Sequence, residues 1–101
     1  MADRDFQNFS TVQSNLQPGP VTLTAAATLA PTTFLTLVSG TTALATITPP
    51  VTGTHMLAFA GTATNWAGTV TTGNILVAST PSQNKIQLLV FNPTTAKYMP
   101  V

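Results

Sequence analysis

Cysteine is absent from the 101 residues, which removes disulfides and thiolate metal sites and leaves packing and assembly to stabilise the chain. Charge is nearly absent as well. Three basic and two acidic side chains are present, and no Asp, Glu, Lys or Arg lies between Asp5 and Lys85. A nucleic-acid partner needs a basic field to neutralise phosphates, and none is available here. A net charge of +1 also removes the self-repulsion that keeps small proteins apart, so the composition predicts a stable oligomer. The N-terminus Met1-Ala2-Asp3-Arg4-Asp5-Phe6 carries no cationic stretch leading into an apolar one, and no run approaches the roughly 18 apolar residues of a membrane span. The reading is a protein made in the cytoplasm, with no membrane partner.

Chemistry is scarce too. His55 is the single imidazole, and the side-chain carboxylates are Asp3 and Asp5 near the start of the chain. Neither a nucleophile with its base nor a pair of carboxylates can be assembled from that inventory. The glycine-poor loops match no phosphate cradle. The expectation is a protein that is not an enzyme, with no cofactor and no metal site. His55 would ligate a metal only if three copies met on a symmetry axis, and a surface or hydrogen-bonded role is the ordinary alternative. The Thr-x-Thr triplets at Thr22, Thr46, Thr62 and Thr69 resemble ice-binding arrays, but their spacing is irregular and Thr is a good strand residue for an uncharged wet face.

What the chain has in quantity is Thr, Ala and aliphatic residues, cut into short segments by Pro and Gly. That pattern predicts strands near 21–24, 33–38, 43–48, 55–60, 69–71, 74–78, 85–91 and 96–99, with 25–30 extended. The fold class expected is all-β, a small antiparallel sandwich or barrel, jelly-roll-like, with an N-terminal arm. Residues 1–20 form that arm, ending in the hinge Pro18-Gly19-Pro20, and residues 21–101 form the β domain. Phe6, Phe9 and Leu16 recur near helical spacing, which makes them the candidate partner-binding residues of the arm. Phe34, Trp66, Phe91 and Tyr98 are the candidates for self-association or packing.

Two segments are apolar on both faces: Phe34-Leu35-Thr36-Leu37-Val38 and Ile86-Gln87-Leu88-Leu89-Val90-Phe91. In a domain this small a two-sided strand needs cover from outside its own core, most simply another copy of the chain. A weak internal echo also runs through the sequence. Thr24 to Pro31 matches Thr42 to Pro49 at a shift of 18 residues. Repeat folds generally need at least three units, so the echo is read as two similar strand exits toward a proline.

The stretch from Pro49-Pro50 through His55-Met56-Leu57-Ala58-Phe59, Trp66, Gly73-Asn74-Ile75, Leu88-Leu89-Val90-Phe91 and Lys97-Tyr98-Met99-Pro100 resembles a β domain that recurs in virion proteins of tailed bacteriophages. Capsid decoration (cement) proteins and the tips of head or tail fibres carry such domains. The resemblance covers about residues 40–101, with Tyr98 where a Trp is expected and Asn92-Pro93-Thr94-Thr95 in place of an Asp-Gly turn. It implies a structural protein of the virion: a homotrimer on the capsid surface, made in the host cytoplasm, that binds the major capsid protein and stabilises the shell against the pressure of packaged DNA. The alternative it implies is a receptor-binding fibre tip, with loops 62–68 and 81–85 facing a glycan.

Overall fold

The computed structural model describes residues 9–62, 66–80 and 85–101. Seven strands follow in order: β1 (Val21–Thr24), β2 (Thr28–Leu29), β3 (Leu35–Ser39), β4 (Thr46–Ile47), β5 (Met56–Gly61), β6 (Gln87–Asn92) and β7 (Lys97–Pro100). The first five are dealt alternately to two sheets. One sheet has the order β1-β3-β5-β6-β7, and the other pairs β2 with β4.

Because consecutive strands go to different sheets, each finds its neighbour two strands along, and those neighbours run parallel. Val21 faces Thr36, Leu35 faces Ala58, and Thr28 faces Thr46. Leu44 bridges Thr69 in the same sense, adding a third level to the smaller sheet. The chain thus winds through both sheets in successive turns. Strands β6 and β7 then close the larger sheet as an antiparallel hairpin on β5. Asn92 opens the hairpin turn by accepting the Thr94 N–H at 3.0 Å, and Ala96 ends it at φ 57°.

The all-β expectation holds, with two sheets sharing one core. The expectation of antiparallel pairing throughout does not: the larger sheet is mixed, parallel from β1 to β5 and antiparallel from β5 to β7. Parallel neighbours need a crossover connection, and here the short strands of the second sheet serve as the crossovers. Short apolar segments punctuated by Pro and Gly look the same whether the chain turns back or crosses over. The echo likewise has a structural meaning that a two-copy match did not reveal. Thr28 and Leu29 lie beside Thr46 and Ile47 at that same shift of 18, so its two members are stacked levels of the second sheet.

Several expected strands are shorter than read. The segment 43–48 contributes Thr46–Ile47, while 69–71 and 74–78 reduce to bridges at Thr69 and Ile75. Their polar groups go elsewhere. Thr69 donates its hydroxyl to the Val77 carbonyl at 2.8 Å. The Asn74 side chain caps Ile47 from both sides, donating to its carbonyl and accepting its N–H at 2.8 Å each. Two glycines allow this crowding. Gly68 sits at φ 81°, and a Cβ on it would overlap the Ser79 carbonyl; one on Gly73 would overlap the Ala45 carbonyl and the Thr46 hydroxyl.

The core joins Leu29, Leu44 and Ile47 of the smaller sheet and its extension to Val38, Leu57, Phe59, Leu89, Phe91 and Tyr98 of the larger, with Trp66 and Ile75 between. The Trp66 ring is buried, and its Nε1–H donates to the Thr42 carbonyl at 3.0 Å. Residues 9–14 are helical and lie at the end of the larger sheet where β3 and β5 begin. Gln13 uses its side-chain amide as a peptide would, donating to the Met56 carbonyl at 2.9 Å and accepting the Met56 N–H at 2.8 Å. Gln17 then bridges Thr33, and a cis Gly19–Pro20 bond leads into β1.

Candidate functional site

The outward face of the larger sheet is apolar across β3, β5, β6 and β7. Alternation sends Thr36, Val38, Leu57, Phe59, Leu89, Phe91 and Tyr98 inward, so their chain neighbours point out. Register lines those neighbours up. Leu35, Ala58 and Leu88 share a row; Leu37 and Ala60 share a second; Met56, Val90 and Met99 a third. The long side chains are half-buried, and they overhang the two alanines, which are 1% and 5% exposed. Ile86 and Val101 extend this apolar field at its margin and stand well exposed. Polar residues border it: Thr22 and Thr24 on β1, and Asn92 with Lys97 at the hairpin turn.

An apolar centre ringed by polar residues is the anatomy of a protein interface, and a contiguous apolar patch on a small chain marks a surface that expects cover. Lys97 is the one charged side chain that the register places on this face. It stands exposed at the border, so two such faces can meet over their apolar rows with the lysines left at the rim.

The candidate residues read from the sequence separate into groups. Phe34 is 42% exposed just before β3. Trp66, Phe91 and Tyr98 belong to the core. Leu16 packs against that core, and Phe9 is half-buried in the short helix. Phe6 lies outside the described residues, as do Asp3, Arg4, Asp5 and, within the two loops 62–68 and 81–85, residues 63–65 and 81–84. The Thr triplets share no face: Thr22 and Thr24 sit on the larger sheet, Thr46 on the smaller, and Thr69 is buried.

His55 is fully buried. Its Nδ1 lies 2.8 Å from the Gly53 carbonyl, which can only accept, so Nδ1 carries the proton. Nε2 then accepts from the Tyr98 hydroxyl at 2.7 Å. The Phe91 ring stacks on the imidazole at 5.0 Å. Burial lowers the His55 pKa, a shift that the Gly53 bond opposes in part, and it pushes the Tyr98 hydroxyl above its ordinary range. With both nitrogens engaged inside the core, the ring has no lone pair to offer a metal on a symmetry axis.

Gln13 and Asn74 were not singled out from the sequence, yet each completes a strand edge with a side-chain amide. The available signal was faint: an amide flanked by small or apolar residues beside a turn. No family model, curated protein or solved structure matches the chain. Among the described residues no helix is long and apolar enough to cross a membrane.

Proposed function

We propose that the protein is a structural subunit of a virion: a trimeric capsid decoration protein that binds the major capsid protein from outside and holds the shell against the pressure of packaged DNA. The observation that carries this reading is the apolar outer face of the larger sheet, bordered by polar residues, with Lys97 at its edge. Such a face supports a subunit that works by being covered. Around a three-fold axis, copies of the chain cover it for one another, and the arm, with Phe6 and Phe9, reaches the shell. Leu16 roots the arm in its own domain. The function is mechanical and uses no cofactor: each Å² of apolar surface removed from water contributes on the order of 25 cal/mol before association costs are subtracted.

The test is mass measurement in dilute buffer, followed by counting copies on intact particles. A trimer in solution and a regular surface complement on capsids are the expected results. A folded monomer at every concentration, or particles that lack the protein, would overturn the proposal.

A further inference from the structure

We propose that His55 is an acid-sensitive pin for the N-terminal segment: the neutral ring holds residues 53–56 in the shape to which Val12 and Gln13 dock, and protonation of the ring releases them. This inference does not rest on the virion reading. It starts from where the ring sits. On one side of it, Gly53 takes φ 90°, and a Cβ there would come within 3.3 Å of the Val12 side chain. On the other, Met56 exchanges two hydrogen bonds with the Gln13 amide. Between them, His55 fastens the stretch inward three ways: Nδ1–H to the Gly53 carbonyl, Nε2 to the Tyr98 hydroxyl, and its own carbonyl to the Phe91 N–H at 2.8 Å.

A second proton on the ring has no place in this arrangement. It would sit on Nε2, facing the Tyr98 oxygen, and the phenolic proton now given to Nε2 would have to turn into the core. The new charge would also find no counter-ion among the described residues. The elements packed around the ring offer Gly53 from the preceding loop, Phe91 from β6, Tyr98 from β7, and Val12 and Gln13 from the helix. Of these Tyr98 alone titrates, and it stays protonated. Lys97 points to the opposite face of β7, Lys85 is exposed ahead of β6, and the terminal carboxylate lies on exposed Val101 beside Leu88. No aspartate or glutamate occurs among the described residues.

The sign follows from the depressed imidazole. In this proposal the released ring regains its ordinary value of 6.5, so the docking it supports is fully present above that value and is lost as pH falls toward the value that burial lowers. For one proton the docked-to-released ratio falls by up to about tenfold per pH unit in that window. With a single histidine and no carboxylate beyond Asp5 except the terminus, other titrations lie outside the window. The carboxylates protonate near about 4, and the α-amino group near about 7.7.

Hydrogen exchange on the full chain from pH 7.5 to 5, corrected for intrinsic rates, reads the effect. Amides of residues 12–17 and 53–56 are expected to lose protection with falling pH, while those of β3 and β5 keep theirs. In His55→Phe the loss should vanish. Should that variant not fold, NMR titration of the one imidazole in the native chain replaces it, and the ring must protonate on the same curve as the arm loses protection. Flat arm protection across the range would overturn the proposal, as would a ring that titrates at the ordinary value with the arm unmoved. Equal loss in β3 and β5 would also overturn it, because the ring would then hold the whole fold rather than the arm.

Discussion

Two sheets share one core and present opposite outsides. On the smaller sheet the outward side chains are Thr28, Ala30, Thr46 and Thr48, short and mostly exposed. On the larger sheet they are leucines, valine, methionines and two smothered alanines. Neither face carries an Asp or Glu among the described residues, and Lys97 stands only at the border of the larger one, so charge does little to distinguish them. Side-chain length does: a Thr/Ala surface can be wetted through hydroxyls, while Leu35, Leu37, Leu88 and Val90 offer water nothing to bond. The smaller sheet is finished by solvent, and the larger one is the face for which we propose a partner.

The comparison can be broken most severely from the smaller sheet. Gly73→Ala forces a Cβ into the Ala45 carbonyl and the Thr46 hydroxyl, and backbone cannot step aside as a flexible side chain would. A loss of roughly 3 kcal/mol in urea unfolding is expected, enough to unfold a marginal chain. Next comes the pair that tests the two outsides directly. Leu88→Asp on the larger sheet should weaken self-association by about a hundredfold or more while circular dichroism stays native, since a buried unpaired carboxylate is costly. Thr28→Asp, on the exposed smaller face, should leave assembly within about twofold. Equal effects from the two would mean that the apolar face is not the interface.

Asn74→Ala is expected to cost about 2 kcal/mol, because it strips both partners from the Ile47 peptide where the smaller sheet meets the segment that bridges Tyr98. Gln13→Ala removes the same kind of double bond nearer the chain end, and about 1 kcal/mol is expected. Unfolding midpoints of the two variants check the order. The smallest effect has the opposite sign. Thr36 is fully buried on the inner side of β3, and its hydroxyl has no partner among the described residues. Thr36→Val keeps the branched shape and removes the orphaned group, so a gain of roughly 1 kcal/mol is expected.

Strands β1, β3, β5, β6 and β7 were legible within a residue or two, because each carries aliphatic or aromatic residues between breaks marked by Pro, Gly or Asn. The inference that the strands around Leu37 and Leu88 are apolar on both faces was legible for the same reason. Trp66, Phe91 and Tyr98 are buried in the core, while Phe34, read with them as a residue for self-association or packing, stands partly in solvent. Alternation says that two faces exist, and the register across the sheet says which residues share them.

What the sequence by itself determined is composition-level and local. A chain with few charges and no cysteine must be held by packing, and its Thr-rich segments favour extended backbone. The direction in which each strand meets its neighbour was decided by tertiary structure alone. Parallel and antiparallel pairing use the same residues and differ in where the connection travels, and that depends on which core a crossover strand can join. The echo between Thr28-Leu29 and Thr46-Ile47 was visible in the letters, but whether two similar segments stack or merely resemble each other is settled by the hydrophobic contact that Leu29 and Ile47 make with the opposite sheet. The roles of Gln13, Asn74 and His55 are of the same kind. An amide or an imidazole acquires its partner from residues tens of positions away, and only the closed fold brings them within hydrogen-bond reach.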